Sequence, residues 1–598
     1  MISQKTAVDI LSQSEEETGR FQTKLLKRFL VYFRPYTKQL TLMYAAAFLN
    51  VAAFIAIPVV MQIGIDEHIV QNDYHGLLGT AATLLLLVIL LYIAGRTQGV
   101  LMMKIGYRVI HDLRADLFAH LQTLSFSFFD TQRTGRIMSR ITNDVQVFEE
   151  LLRAGLDTIV VDVVLLASIT TAMIYLDSWL SLVLLVTVPG FAFVVFVLQK
   201  YLLRTGRRIQ RELSHVNAFL NESISGIRVI RAFAREEENI TSFTSLNENY
   251  FHEARKLYPL LSWFWQCVAT IGTLGPALVL LIGGIRLSQE MITIGVIAAF
   301  LTYINRFFQP LQKISNMLNQ ISRAMASAER IFEIMDVQPD IVDRINCVPD
   351  FRLSGNVEFR NVWFAYKTDE FVTRDLTFRV SEGQTIAVVG PTGSGKTTII
   401  NLLCRFYDPT EGQIIVDGFD LTQLVQKDYR SQIALVMQDP NMFSGTIAEN
   451  IRFGRPDADM ATVRSVTTAM GIDTMIESLP DAYDHDIGER GSNISLGQRQ
   501  LLAFARALIR DPAILILDEA SSYLDNETEK LVHSATQTLC KGRTSFVIAH
   551  RLSTIQHADR ILVMNQGTLV EQGKHAELLS SGGLYANLVM AQYGGSDD

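Results

Sequence analysis

The chain has 598 residues, of which 49% are hydrophobic and only 19% are charged. So low a charged fraction is unusual for a soluble protein, and the long apolar runs all lie before residue 326. The net charge of −8, with no basic domain, excludes a general nucleic-acid binder. The four cysteines lie far apart and outside any CxxC motif, so they indicate neither a zinc site nor a disulfide framework.

The polar, acidic N-terminal segment, residues 1–25, lacks the apolar core of a cleaved signal peptide, so we expect the first membrane helix to direct insertion. Runs of about 20 mainly apolar residues are long enough to cross a bilayer. Six such runs make residues 26–325 an all-α transmembrane domain in this prediction. The predicted spans are Leu40–Ile63, Leu77–Ala94, Leu156–Leu176, Trp179–Leu198, Leu261–Ile282 and Ile294–Phe308.

The loops between these runs predict the orientation. Residues 61–95 contain no Lys or Arg, whereas residues 96–150 and 200–256 contain many basic residues, mostly Arg. Because positive charge stays in the cytoplasm, both termini are predicted to be cytoplasmic. Apolar residues recur at helical spacing through both inner loops, so we expect helical arms that extend beyond the membrane. The arms are predicted to turn around near Ser125–Thr134 and near Arg211–Asn221.

Three charged residues fall inside predicted spans: Asp157 and Asp162 in the third, and Arg306 in the sixth, beside Asn305. Such residues are functional candidates by default. The sequence favours a structural interpretation, in which Asp157 pairs with Arg153 and Arg306 lies at a membrane boundary.

After a linker (residues 326–354), residues 355–592 have the composition of a soluble α/β domain. A strand-like run, Thr385–Val389, leads into a GxxxxGKT motif and an apolar helix, the context in which this motif binds nucleotide phosphates. We expect Lys396 to contact the β- and γ-phosphates of ATP and the Thr397 hydroxyl to bind Mg²⁺. The predicted phosphate-loop residues are Gly390, Pro391, Thr392, Gly393, Ser394, Gly395, Lys396, Thr397 and Thr398.

A second buried-strand pattern, Ile514–Leu517, ends in Asp518 and Glu519. Parallel sheets bind ligands at the carboxyl ends of their strands. Asp518 is therefore predicted to hold Mg²⁺, and Glu519 to polarise the attacking water.

The segment Asn493–Gln498 resembles the signature motif of ABC ATPases, and the order of the motifs is the order in that family. The resemblance extends to two inner-loop segments of ABC exporters, Phe128–Arg140 and Glu222–Phe233, and to the exporter-specific loop at Asp486–Gly491. It implies further nucleotide-site residues: the stacking aromatic Tyr366, the Q-loop residue Gln438 (also at the metal), the signature residues Ser495, Gly497 and Gln498, Asp525, and the catalytic His550.

The resemblance implies that ATP lies between the phosphate loop of one domain and the signature of a second. The chain would thus be a half-transporter in the bilayer, in a bacterial inner membrane, exporting an amphipathic drug, lipid or peptide. An importer is disfavoured because importers usually carry the ATPase on a separate chain. A regulator or an ATP-gated channel remains an alternative.

One position departs from the family pattern, because Leu496 stands where the signature normally has its first glycine. Glu519 and His550 are both present. This combination resembles one subunit of the heterodimeric ABC exporters, in which each chain completes the site of the other. The sequence therefore predicts a heterodimer with one degenerate site, and a homodimer that tolerates Leu496 is the alternative.

Overall fold

The computed structural model describes residues 23–593, except residues 155, 345–346, 368–369, 519–525 and 550–551. The chain forms two compact units. The first comprises residues 1–122 and 135–336, and the second comprises residues 123–134 and 337–598. The described part of the first unit is helical, and the second is an α/β unit, so the predicted fold class is confirmed.

Long helices dominate the first unit. Its α-helices in chain order are α1 (Thr23–Val31), α2 (Thr37–Ile63), α3 (Tyr74–Thr123), α5 (Thr134–Ser139), α6 (Val145–Ala154), α7 (Leu156–Leu176), α8 (Val183–Ser225), α9 (Ile227–Ala232), α10 (Glu236–Ser288) and α11 (Ile294–Met335). Helix α4 (Phe126–Thr131) belongs to the second unit. At 1.5 Å per residue, α3 and α10 are much longer than a bilayer is thick. Each of these helices is therefore longer than a single membrane span needs.

Five helices among the described residues are long and apolar enough to cross a membrane. A sixth apolar stretch, Leu180–Val194, is shorter. These stretches overlap the six predicted spans. The five longer ones are Arg34–Ile69, Tyr74–Thr123, Ile159–Leu176, Glu236–Ser288 and Ile294–Leu311.

The turn of the second arm is not where the sequence pattern predicted it. Helix α8 continues without a break through Arg211–Asn221 and ends at Ser225. Gly226 then caps α8 and also precedes the short helix α9. The prediction was wrong because residues 211–221 contain neither proline nor glycine, so nothing in their backbone ends the helix.

The first arm is held to α11 by a polar cluster. The Asp144 carboxylate accepts hydrogen bonds from the Ser327 hydroxyl (3.1 Å) and the Arg330 Nε (3.0 Å). The buried Arg140 donates to the Arg330 carbonyl oxygen at 2.7 Å, and burial lowers its pKa. Because buried charges are costly unless paired, this cluster fixes the two elements against each other.

The described strands of the second unit form two sheets. The four-stranded sheet has the order β2-β1-β4-β5, and the six-stranded sheet has the order β10-β9-β3-β8-β7-β6. The strands are β1 (Val357–Ala365), β2 (Phe371–Val380), β3 (Thr385–Val389), β4 (Glu411–Val416), β5 (Phe419–Asp420), β6 (Ile433–Val436), β7 (Ile514–Asp518), β8 (Thr544–Ile548), β9 (Arg560–Asn565) and β10 (Thr568–Gly573).

One face of the six-stranded sheet packs against helices, and the other packs against the helix Lys396–Leu403 and the four-stranded sheet. The inner strands β7 and β8 are buried along nearly their whole length. The helices are α12 (Lys396–Leu403), α13 (Gln426–Ser431), α14 (Ile447–Arg452), α15 (Met460–Ala469), α16 (Asp473–Glu477), α17 (Leu496–Ile509), α18 (Asn526–Cys540), α19 (Leu552–Gln556), α20 (His575–Ser580) and α21 (Leu584–Tyr593). Continuous apolar strands of this kind are typical of parallel sheets buried on both faces.

Candidate functional site

The candidate site lies where four neighbouring parallel strands end. Strands β3, β8, β7 and β6 are adjacent in this order and run parallel. The phosphate-loop motif follows β3, Asp518 is the last residue of β7, and Gln438 follows β6. Because parallel strands present their carboxyl ends at one edge, these segments share that edge. Glu519, Asp525 and His550 lie outside the described residues.

The phosphate-loop motif connects β3 to α12 in a shape that requires glycine at two positions. Gly395 caps α12 with a left-handed backbone (φ +97°), which costs a residue with a side chain about 1–3 kcal/mol. A Cβ atom on Gly390 would lie 2.2 Å from the Met564 carbonyl oxygen. At these two positions the backbone between β3 and the start of α12 therefore carries no side chain. A phosphate can approach such a backbone closely, and a helix N-terminus attracts phosphate.

The Lys396 ammonium is buried inside this loop. It donates to the carbonyl oxygens of Gly390 (2.8 Å) and Pro391 (3.0 Å). Burial lowers the pKa of Lys396, and the Asp518 carboxylate opposes that shift. Charged acceptors form stronger hydrogen bonds than neutral ones, so phosphate oxygens would displace these carbonyls. The geometry fits the role predicted for Lys396.

The hydroxyls of the loop fit a phosphate and a metal ion. The Ser394 Oγ is buried and has no hydrogen-bond partner among the described residues, an arrangement that costs about 1–3 kcal/mol. Thr397 is exposed in the first turn of α12, Gln438 is exposed, and Asp518 is half-buried. Hydroxyl, amide and carboxylate oxygens are the hard ligands that Mg²⁺ prefers, so this donor set fits the predicted metal.

Tyr366 follows β1 and is held beside the phosphate-binding helix. Its hydroxyl accepts a hydrogen bond from the Asn401 amide (2.9 Å) and lies 3.4 Å from the Thr398 Oγ. Its ring packs edge-on against the ring of Tyr407, with centroids 5.1 Å apart. The side chain is nevertheless 43% exposed. It is therefore fixed at its hydroxyl end while part of the ring stays open for stacking.

The signature segment forms the start of α17. The Ser495 Oγ accepts from the Gln498 backbone N–H (3.2 Å), and the Gln498 Oε1 accepts from the Ser495 N–H (2.8 Å), which completes a capping box. Gly497 is buried, whereas Leu496 is the half-buried first residue of the helix. Leucine favours a helical backbone, so Leu496 changes the shape of this helix end without straining it.

The segment Asp486–Gly491 forms an exposed loop just before α17. Arg490 has a left-handed backbone (φ 53°), and its carbonyl accepts from Arg499 Nη1 at 3.4 Å. Glu489 and Arg490 are both exposed. The loop thus presents two acids, Asp486 and Glu489, and one base, Arg490, at the surface of the second unit.

The turn of the first arm belongs to the second unit. Phe126, on α4, stacks on Phe406 with ring centroids 4.3 Å apart. The Tyr407 hydroxyl donates to the Asp130 carboxylate at 2.5 Å. Burial raises the pKa of Tyr407 well above its usual value, and Asp130 raises it further. The hydroxyl therefore stays protonated and able to donate at neutral pH.

The sequence analysis missed three residues that build this region: Asn401, Phe406 and Tyr407. Asn401 orients Tyr366, whereas Tyr407 contacts both Tyr366 and the arm residue Asp130. Asn401 lies on the phosphate-loop helix α12, and Phe406 and Tyr407 come shortly after it, which was the available signal. Tyr407 and Asp130 are 277 residues apart, so no local pattern predicts their contact.

A helical membrane unit joined to a phosphate-loop sheet with a capped signature helix defines an ATPase coupled to membrane transport. The family model that describes the ABC transporter transmembrane region matches residues 40–311 of this chain. The ABC transporter model, which describes the ATPase domain, matches residues 373–522. The chain belongs to the ABC transporter family, as a half-transporter of the exporter type.

Known proteins are similar over nearly the whole chain. The ABC transporter ATP-binding protein YknV of Bacillus subtilis is 40% identical, over 95% of this chain and 94% of its own length. YgaD of the same organism, whose name assigns it provisionally to multidrug export, is 33% identical over 95% of this chain and 99% of its own. A bacterial Atm1-family ABC exporter solved with ATP bound superposes with a TM-score of 0.77 at 28% identity, covering 94% of this chain and 99% of that one.

Proposed function

We propose that this chain is the hydrolytic half of a heterodimeric exporter that has one active and one degenerate ATP site. The observation that carries the proposal is Leu496 at the first helical position of α17, directly after Ser495. In the family, the backbone there approaches the phosphates of ATP bound to the other subunit. A half-buried leucine side chain at this position opposes that approach.

The phosphate-loop side of this chain shows no corresponding defect among the described residues. Lys396 is held inside the loop, and Ser394 lacks a partner that a phosphate would supply. This chain's phosphate loop would thus complete an active site with the intact signature of a different partner. Its own signature, with Ser495, Gly497 and Gln498, would complete the degenerate site.

In the active site the residues divide the work as follows. Lys396 and the loop glycines hold the β- and γ-phosphates, and Tyr366 stacks on the adenine. Thr397, Gln438 and Asp518 would hold Mg²⁺, which when bound neutralises charge on the phosphate oxygens. The family resemblance assigns the remaining roles: Glu519 would orient the attacking water, His550 would be the switch histidine, and Asp525 would be the D-loop aspartate.

Nucleotide binding would close the two ATPase domains, and the arm seated at Phe406 and Tyr407 would pass that closure to the membrane helices. The chain would sit in a bacterial inner membrane with its ATPase domain and both termini in the cytoplasm. An amphipathic substrate agrees with the exporter class.

The proposal is tested by purifying the chain alone and measuring its ATPase activity in nanodiscs, beside the variant Leu496→Gly. Alone, the chain should hydrolyse ATP slowly. Restoring the glycine should raise the rate about 10- to 100-fold, the value of one recovered charge-assisted contact of about 1.5–3 kcal/mol. Brisk, substrate-stimulated ATPase activity by the unmodified chain alone would contradict the heterodimer.

A second measurement separates export from regulation. Vesicles that contain the chain and its partner should move substrate in one direction when ATP is present on the ATPase side. Nucleotide hydrolysis without directional flux would identify a regulator or a gated channel.

A further inference from the structure

The exposed side of α11 differs from that of α3, the span with the highest hydropathy. Between Gly295 and Ile314, the described residues that are exposed are Asn305, Gln309 and Lys313. They are four residues apart, so they share one side of the helix, which we call the α11 polar stripe. On α3, by contrast, the exposed side of the span is apolar, with Leu78, Leu85, Leu86, Val88 and Ile89.

A stripe of this kind is not a surface for lipid. An amide in hydrocarbon loses its hydrogen bonds to water and costs several kcal/mol. Lys313, at the inner end of the apolar stretch, could extend to the membrane surface. The same escape is not open to Asn305 and Gln309, whose side chains are short. The Asn305 amide donates to the Leu301 carbonyl oxygen at 2.9 Å, which uses one of its two N–H donors and leaves its oxygen without a partner in that bond. The stripe therefore faces either a water-filled path or another protein chain.

Arg306 lies beside the stripe and is only partly used by the protein. Its Nη1 donates to the Phe54 carbonyl oxygen at 3.0 Å, and its guanidinium lies 4.0 Å from the centroid of the Phe54 ring. Helix α2 contains Pro58, which has no N–H to offer the carbonyl four residues earlier. Arg306 supplies the missing donor, so it does more than mark a membrane boundary.

A guanidinium has five N–H donors, and the bond to Phe54 uses one of them. The other donors of Arg306 have no protein acceptor among the described residues, and neither does the Lys313 ammonium. No ion pair joins Arg306 or Lys313 to an acid within the part of the chain that the structure describes. The nearest acids further along α11 are Glu329 and Glu333, and Glu333 pairs with Arg140. This side of α11 thus carries two positive charges.

We propose that the α11 polar stripe and Arg306 bind the anionic head group of an amphiphilic substrate. The proposal rests on the proposed export function and names its substrate class. Arg306 and Lys313 neutralise the charge, while the side-chain amides of Asn305 and Gln309 donate to the remaining oxygens. Carboxylates and phosphates share this chemistry, and the experiment below separates them.

The test measures equilibrium binding to the full chain in phosphatidylcholine nanodiscs without ATP. The probes are N-oleoylglycine, which is anionic, and N-oleoylethanolamine, which has the same acyl chain and amide but no charge. Oleoyl lysophosphatidic acid provides the phosphate. The principal variant is Lys313→Gln, because Lys313 makes no described side-chain contact that folding would need. Lys313→Arg keeps the charge, and Lys104→Gln, an exposed residue on α3, is the matched control.

We expect the wild type to bind N-oleoylglycine more tightly than N-oleoylethanolamine. Lys313→Gln should weaken binding of the anionic probe on the order of tenfold, as expected for one lost charge contact. Its affinity for the neutral probe should be unchanged. Arg306→Gln should do the same, whereas Lys313→Arg and Lys104→Gln should bind like the wild type. The stronger of the two anionic probes identifies the preferred head group.

Equal affinity of the wild type for the charged and neutral probes would overturn the proposal. An equal loss of affinity for both probes in Lys313→Gln would overturn it as well. A third contrary result is a change in subunit association without a change in probe selectivity, which would show that the stripe contacts a partner chain. Because binding is measured without ATP, a failure of hydrolysis or transport would not imitate any of these results.

Discussion

The hydrogen bond between Tyr407 and Asp130 gives the sharpest prediction about how the first arm is attached to the ATPase unit. Tyr407→Phe removes the donor at 2.5 Å but keeps the ring. That ring packs against Phe364 and Tyr366, with centroids 5.4 and 5.1 Å away. The substitution therefore deletes one contact and leaves the aromatic packing in place.

The size of the effect follows from the nature of the bond. A hydrogen bond to a charged group is worth about 1.5–3 kcal/mol. Because Asp130 is exposed, water weakens the pair. We therefore expect this hydrogen bond to contribute about 1–2 kcal/mol to the attachment of the arm segment. Its loss corresponds to a factor of about 5 to 30 in the opening equilibrium of that segment.

Hydrogen exchange measured by mass spectrometry on peptides from residues 123–134 reports that opening directly. Exchange in Tyr407→Phe should be faster by about 5 to 30 times than in the wild type. The matched control is Tyr585→Phe, which removes a tyrosine hydroxyl bonded to His575 at 2.6 Å elsewhere in the same unit. Unchanged exchange in Tyr407→Phe, or equal acceleration in the control, would refute the reasoning.

Three further outcomes are expected. Lys396→Ala should reduce ATP affinity at least tenfold in a nucleotide-binding titration, because it removes the cation inside the phosphate loop; unaltered affinity would be contrary. Ser495→Ala should lower the melting temperature by a few degrees, since losing a helix cap costs about 1 kcal/mol; an unchanged melting curve would argue against the capping role. Because the pKa of Tyr407 is raised in the folded protein, its hydrogen bond to Asp130 is fully formed at pH values below the ordinary tyrosine pKa near 10. The contribution of this bond to stability is lost only as the pH rises through the higher folded-state pKa. The exchange ratio of Tyr407→Phe to wild type should thus be constant from pH 6 to 9, and a ratio that falls across this range would contradict the assigned state of the hydroxyl.

The parts of the fold that could be predicted were those with local chemical rules. The phosphate loop needs a strand, bare backbone and a helix within a short stretch, and residues 385–403 provide them in that order. Apolar length alone located the membrane helices.

Other features depend on residues distant in the sequence. The Arg306 side chain donates to the Phe54 carbonyl, which has no helical donor because Pro58 lacks an N–H. Only the packing of α2 against α11 brings Arg306 and Phe54 together. The turn of the second arm was misplaced for a different reason. Helical periodicity continues through residues 211–221, and the helix ends only at Gly226.

Directional flux tests the central claim most directly. Inside-out vesicles that contain the chain with its partner should accumulate an amphipathic substrate only when ATP is added outside, and Glu519→Gln in this chain should abolish accumulation while ATP still binds. Accumulation without ATP, or at an undiminished rate in the Glu519→Gln vesicles, would contradict an exporter driven by hydrolysis at this chain's site.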